Sequence, residues 1–123
     1  MPTRDLDRIR ELLLQAEAVP VDPEEDMYTG YVNLMDSVPP TDAYQLQLMR
    51  DAGFIEGRDA TLGLFRITNS GHDYLDAIRD EGIWNKTKDG ASKVGGFTLG
   101  ILKEIAVSYL KLAIKEKLGI NLS

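Results

Sequence analysis

Residues 41–55 read TDAYQLQLMRDAGFI, a helix-forming run that ends at a glycine and continues into an aromatic residue and an isoleucine. Two prolines precede this run, and Thr41 is predicted to cap the helix because its hydroxyl can accept one of the first free backbone N–H groups. Gly53 is predicted to end the helix in the left-handed conformation, which glycine adopts without a steric penalty. The helix carries a wide apolar face made of Ala43, Tyr44, Leu46, Leu48, Met49 and Ala52.

The residues after Gly53 predict a β-hairpin. One strand begins at Phe54, residues 62–68 form the return strand, and the polar residues 56–61 form the tip. A helix followed by a glycine stop and a hairpin is typical of winged-helix domains, in which the hairpin is the wing. The predicted fold class is therefore α+β: a winged-helix-like domain with a short antiparallel hairpin wing and an amphipathic C-terminal helix.

The residues before the central helix predict one helix and one strand. The apolar spacing of residues 3–18 predicts a helix with Thr3 as its N-cap, and the alternation in Met27–Met35 predicts a strand. Pro39 and Pro40 then break the chain before the central helix. A strand and two prolines therefore take the place of the first helix of a helix-turn-helix.

The remaining residues set the predicted domain boundaries. Thr68 and Asn69 offer caps for a second predicted helix that runs through Asp80, and Gly82 is predicted to stop it. Residues 1–85 then form the winged-helix-like domain, and the glycine-rich residues 86–96 form a linker. Residues 97–123 form an amphipathic helix that packs on the core or on a partner chain.

The C-terminal helix has more apolar positions than one face requires. This surplus predicts that the helix packs on two sides, and the alternatives are self-association and deep burial in its own core. For self-association the predicted residues are Leu102, Ile105, Tyr109 and Leu112.

Composition and charge exclude several functions. The chain has 123 residues and no cysteine, which excludes disulfides, thiolate metal sites and cysteine nucleophiles and is compatible with a reducing cytoplasm. No signal peptide or membrane span is predicted, so a cytoplasmic protein without membrane contact is expected. Residues 1–90 carry 9 basic against 18 acidic side chains, a net charge of −9, and residues 91–123 carry 5 against 2, a net charge of +3. An acidic segment repels duplex DNA, so DNA contact requires a local basic patch.

Five stretches together resemble a family catalogued as domain of unknown function 2513. They are Thr3–Arg10, Ala43–Leu46, Ala52–Glu56, Ile67–Asp80 and Ile83–Lys86, and the signature within residues 71–84 is the most specific. The resemblance covers essentially the whole chain. It implies a winged-helix fold and a regulatory role in small phage, prophage or bacterial proteins, without an established activity or ligand.

The sequence predicts no enzyme, no cofactor and no metal site. His72 lies four residues before Asp76 on the predicted helix, but no nucleophile or second base accompanies it, so a packing or capping role is favoured. The carboxylates of Asp73, Asp76, Asp80 and Glu81 are interpreted as a solvated acidic face rather than as cation ligands.

Two functions are left open by the sequence. The first is a DNA-binding transcriptional regulator, with predicted duplex-DNA contacts at Gln45, Gln47, Arg50, Arg58 and Arg66. Where members of the resembled family commonly carry histidine, this chain has Gln45, so no role of that histidine is transferred. The second is an acidic protein–protein interaction module that modulates a host or regulatory protein without binding DNA.

Overall fold

The computed structural model describes residues 3–20, 30–94 and 98–119. Within these ranges the chain folds into five α-helices and a three-stranded antiparallel sheet. It divides into two compact units, Met1–His72 and Asp73–Ser123, and the boundary falls inside a helix rather than at the predicted residue 85. The α+β class, the antiparallel hairpin and the C-terminal helix are confirmed.

The first helix, α1 (Leu6–Ala18), begins later than predicted. Asp5 is its N-cap, and the Asp5 carboxylate accepts a hydrogen bond from the backbone N–H of Arg8 at 3.1 Å. The prediction that Thr3 caps this helix is wrong, because a carboxylate two residues further along occupies the capping position. Helix α1 buries Ile9, Leu12, Leu13 and Ala16.

The central helix, α2 (Pro40–Asp51), packs against α1. Pro39 is its N-cap and no side chain caps it, so the predicted cap Thr41 lies inside the first turn. Proline is tolerated in the first helical turn, where its missing N–H is not needed. Gly53 has a φ of +80°, the Gly53 N–H donates to the Arg50 carbonyl, and the Phe54 N–H donates to the Met49 carbonyl. This pair of bonds is a Schellman motif, so the predicted glycine stop is confirmed.

The sheet consists of β1 (Tyr31–Asn33), β2 (Ile55–Glu56) and β3 (Leu64–Ile67) in the order β1-β3-β2. Tyr31 pairs with Arg66, which in turn pairs with Glu56 across the hairpin. The first three residues of the predicted strand Met27–Met35 lie outside the described residues. Residues 34–39, which are described, contain no helix, so α2 follows β1 directly. The winged-helix assignment stays a prediction.

Helix α3 (Asn69–Ile78) begins at a threonine that bonds in two directions. The Thr68 hydroxyl accepts from the Gly71 N–H at 3.1 Å and donates to the Gly53 carbonyl, so it both caps α3 and fixes the end of α2. A Cβ on Gly71 would lie 2.1 Å from the Phe54 carbonyl oxygen. Glycine is therefore required at residue 71 for the helix to approach the hairpin strand.

Helix α4 (Glu81–Val94) replaces the predicted stop at Gly82 and most of the predicted linker. The Asp80 carboxylate accepts from the Ile83 N–H at 2.9 Å and starts the helix, so Gly82 lies in its first turn. The linker prediction is wrong for residues 86–94, while residues 95–97 lie outside the described residues.

The last helix, α5 (Leu99–Leu118), is the longest and packs against α4. Thr98 caps its N-terminus by accepting from the Ile101 N–H at 3.1 Å, and Gly119 ends it with a φ of +68°. A Cβ on Gly90 of α4 would lie 3.2 Å from the Tyr109 hydroxyl. The small residue that suggested a linker therefore lets the two helices approach closely.

Candidate functional site

Helices α1 and α2 are joined by an ion pair between Arg8 and Asp42, in which the Asp42 carboxylate is nearly buried. Arg8 Nε donates to Asp42 Oδ1 at 2.9 Å and Arg8 Nη2 donates to Asp42 Oδ2 at 2.8 Å. Arg8 Nη1 also donates to Glu11 at 2.9 Å. The Arg8 guanidinium holds the pKa of Asp42 below its ordinary value, and the two carboxylates raise the pKa of Arg8. The two-point contact fixes α2 against α1 and leaves neither charge available to a ligand.

Gln45 occupies the next turn of α2 and is only 5% exposed. Its Nε2 donates to the Thr3 carbonyl at 2.9 Å, and its Oε1 accepts from the Asp5 N–H at 2.8 Å. The expectation that Gln45 is exposed is wrong, because both ends of its amide are bonded to the residues that lead into α1. Base contact by Gln45 would require these bonds to be replaced. Its role in this structure is to anchor the start of the chain to the central helix.

Two more of the predicted DNA contacts are engaged within the chain. Gln47 donates to Asp51 at 2.8 Å one turn further along α2. Arg66 contacts Glu56 across the hairpin through two nitrogens, at 2.8 and 2.7 Å, and its aliphatic stem lies against Gly30. Base or phosphate contact by either side chain would have to replace an existing bond.

Arg50 and Arg58 are the predicted DNA contacts that the structure places together at a surface. Both are exposed and line one polar cleft of about 550 Å³ between the end of α2 and the hairpin, which Tyr31 and Thr68 also line. Neither guanidinium has a bonding partner among the residues that the structure describes. This cleft is where an anionic group could be held within residues 1–72.

The far end of the hairpin carries an apolar surface that the sequence reasoning missed. Leu62 is 68% exposed and Leu64 is 40% exposed. The segment leading to α2 lies beside them, since the Leu34 N–H donates to the Gly63 carbonyl at 2.8 Å and Val38 Cγ2 would lie 3.3 Å from a Cβ on Gly63. We call the two exposed side chains Leu62 and Leu64 the hairpin patch; the half-buried Leu34, Met35 and Val38 belong to the segment that contacts Gly63 between them.

The sequence pattern of the return strand predicts the exposure of Leu64. In the return strand Leu64 and Arg66 alternate with the buried Phe65 and Ile67, so period-two alternation assigns Leu64 to the outer face. The same alternation over the predicted strand 62–68 places Leu62 on the outer face, although Leu62 belongs to the 3₁₀ turn Ala60–Leu62 and the strand begins only at Leu64.

His72 is the single histidine of the sequence and lies in α3. It is exposed at a cleft whose other polar lining residues include Glu17, Arg66 and Asn69. Asp76, its predicted neighbour, accepts a hydrogen bond from Arg79 at 2.9 Å. Within the described ranges, no three histidine, aspartate or glutamate side chains are grouped to hold a metal ion.

The predicted self-association residues of α5 fall into two groups. Leu102 is fully buried within the chain, and Ile105 and Tyr109 line the contact with Gly90 of α4. Leu102 is therefore not accessible to a partner, whereas Ile105 and Tyr109 are half-buried and keep part of their surface exposed. Self-association through the accessible residues stays a prediction. Leu112 is 51% exposed and remains accessible.

The fold and its polar contacts define a small α+β protein in which Asp42 and Gln45 of the central helix are bonded to Arg8 and to the residues that lead into α1. No helix in the described ranges has both the length and the apolar character needed to cross a bilayer. Residues 3–98 match the model of the family described as Hypothetical protein (DUF2513), and the chain belongs to that family. Neither the curated proteins nor the solved structures contain a match to this chain. The matched residues end just before α5 begins.

Proposed function

We propose that this protein is a non-catalytic regulator that binds another protein through the hairpin patch. The observation that carries the proposal is the exposure of Leu62 and Leu64, two large apolar side chains two residues apart at the far end of the hairpin. Single exposed apolar side chains are ordinary on protein surfaces, but a group of them at one site is typical of an interaction surface. We also propose that the protein acts in the cytoplasm of a bacterium and is encoded by a phage or by the bacterium itself.

The charge of residues 1–72 favours a protein partner over DNA. This segment holds 6 arginines and no lysine against 13 acidic side chains, a net charge of −7. Arg8 and Arg66 are already paired with carboxylates. Since phosphate neutralisation supplies most of the non-specific affinity for a duplex, an acidic surface with few available cations binds DNA poorly.

A pair of charge-matched variants tests this proposal. The full-length chain, tagged, is used to capture proteins from a bacterial lysate, and partners are quantified by mass spectrometry. The test variant is Leu62→Glu with Leu64→Glu, and the control is Gln15→Glu with Thr41→Glu, which adds the same charge at exposed sites on α1 and α2. We expect the test variant to lose a specific partner at least about tenfold, because each buried carboxylate opposes desolvation.

Binding of the recovered partner is then measured again with the purified partner and the purified wild type, test variant and control. Equal capture by the test variant and the control would remove the hairpin patch as the binding surface. Circular dichroism spectra of both variants must match the wild-type spectrum, so that loss of binding is not loss of folding.

A DNA-binding regulator is the second candidate, and the cleft that holds Arg50 and Arg58 supports it. Fluorescence anisotropy with random duplex DNA at low and moderate salt tests it. We expect the Arg50→Ala, Arg58→Ala variant to lower the salt slope by about one for each phosphate contact removed. The control variant Arg4→Ala, Arg10→Ala removes the same charge from the start of the chain. Absence of binding by the wild type at ~50 mM salt, where phosphate contacts are strong, would exclude this candidate.

A further inference from the structure

One side of α5 carries apolar residues that the described part of the chain leaves exposed. Leu99, Leu102 and Ala106 are buried, whereas Ile101 is 43% exposed and Leu112 is 51% exposed. The family match ends before this helix, so α5 is an element beyond the part of the chain that the family model describes. Its exposed side is independent of the hairpin patch and of the function proposed for it.

Four residues form a stripe that borders the contact with α4; Ile105 is half-buried there because part of its side chain lies near Gly90, and the other three are exposed. Ile101, Ile105, Ser108 and Leu112 are spaced by four, three and four residues, which is the spacing of the contact positions in paired helices. Ser108 is compatible with a covered surface, because its hydroxyl already donates to the Glu104 carbonyl at 2.8 Å. The stripe therefore has two large residues at its ends, and one large and one small residue at its centre.

The order of side-chain sizes along the stripe is self-complementary when two copies of the helix run antiparallel. We propose that a second copy of this chain packs on the stripe with the two α5 helices antiparallel and related by a two-fold axis. With Ile101 opposite Leu112 of the second copy, Ile105 lies opposite Ser108, so a large side chain meets a small one in each central layer. A parallel pair would place Ser108 opposite Ser108 and leave the centre of the contact poorly filled.

The charges beside the stripe select the same arrangement. Glu104 and Lys111 lie seven residues apart on the same edge of the stripe, and both are exposed. In antiparallel helices an edge faces the same edge of the partner, so Glu104 meets Lys111 of the second copy, and the two-fold axis makes this contact twice. The interface is small, because only Ile101 and Leu112 contribute large exposed apolar side chains. We therefore expect a weak dimer that dissociates on dilution.

Charge reversal in the full-length chain tests both the dimer and its direction. Sedimentation equilibrium over roughly 1–500 µM covers dissociation constants in the micromolar range. Glu104→Lys and Lys111→Glu each place like charges opposite one another twice, so each is expected to weaken the dimer at least about tenfold. The double variant Glu104→Lys, Lys111→Glu restores opposite charges and is expected to recover the wild-type association within about threefold.

Two further variants complete the experiment. Lys117→Glu makes the same charge change at an exposed position away from the stripe and is expected to leave association unchanged. Leu112→Asp places a carboxylate against Ile101 of the second copy at both ends of the contact and is expected to give a monomer at every concentration. A wild-type monomer throughout the range would overturn the proposal, and failure of the double variant to recover association would overturn the antiparallel arrangement.

Discussion

The ion pair between Arg8 and Asp42 gives the sharpest stability prediction. The Asp42 side chain is 9% exposed and the Arg8 side chain 30% exposed, and two parallel hydrogen bonds of 2.9 and 2.8 Å join them. Removing one member of a buried pair costs about 3–5 kcal/mol because the other charge is left without its partner. Since Arg8 is partly hydrated and keeps Glu11, we expect Asp42→Asn to lower the free energy of unfolding by about 2–3 kcal/mol.

A double-mutant cycle separates the pair from its surroundings. Urea unfolding is followed by far-UV circular dichroism for the wild type, Arg8→Met, Asp42→Asn and the double variant. We expect a coupling energy of about 1–2 kcal/mol, because the two single variants remove the same two hydrogen bonds. The Asp76–Arg79 pair, with side chains 63% and 46% exposed, is the matched control, for which about 0.5 kcal/mol or less is expected. A coupling energy for Arg8 and Asp42 no larger than the control's would refute the view that this pair holds α1 to α2.

Three further predictions follow from the same unit. The pKa of Asp42 is lowered in the folded protein, so its contribution to stability is fully present above the ordinary aspartate pKa of about 3.9. The contribution is lost as the pH falls through the lower folded pKa. The urea midpoints of the wild type and Asp42→Asn should therefore converge in acid. Gly71→Ala should destabilise by about 3 kcal/mol or more because its Cβ would lie 2.1 Å from the Phe54 carbonyl, whereas Gly100→Ala meets nothing closer than 3.7 Å and should change thermal stability by less than about 1 kcal/mol. Gln45→Leu leaves the Asp5 N–H and the Thr3 carbonyl without their bonds and should cost about 1–2 kcal/mol in urea unfolding; no change would show that water replaces the amide.

Local signals predicted the elements that neighbouring residues determine. The end of α2 at Gly53 follows from the left-handed conformation alone, and the Thr68 cap follows from a hydroxyl placed before the first turn of α3. The hairpin follows from its alternating pattern and polar tip. These features depend on contacts within a few residues, so the sequence contains what is needed to predict them.

The errors came from residues whose state depends on distant contacts. Glycines at residues 82 and 90 suggested a stop and a linker, but Asp80 caps a helix there and Gly90 accommodates Tyr109 from α5. The sequence predicts that Gln45 faces solvent or a partner, because it is not one of the residues that form the apolar face of α2. Its burial depends on two backbone groups 40 and 42 residues away, which no local pattern reveals.

The hairpin patch and the α5 stripe reinforce each other even though they lie in different units. A small apolar patch on a monomer gives only weak binding, because association must first offset the lost freedom of both partners. Two copies joined through Ile101 and Leu112 would carry two hairpin patches. If the target also has two sites that the dimer can reach together, the second contact forms within an existing complex, and the combined affinity rises without any new interaction. Dimerisation would then regulate target binding, since the protein binds such a target more tightly once its concentration exceeds the dissociation constant of the dimer. Leu112→Asp should therefore weaken binding to such a target while leaving the single-site affinity of Leu62 and Leu64 unchanged, which binding to immobilised target at low and high surface density would measure.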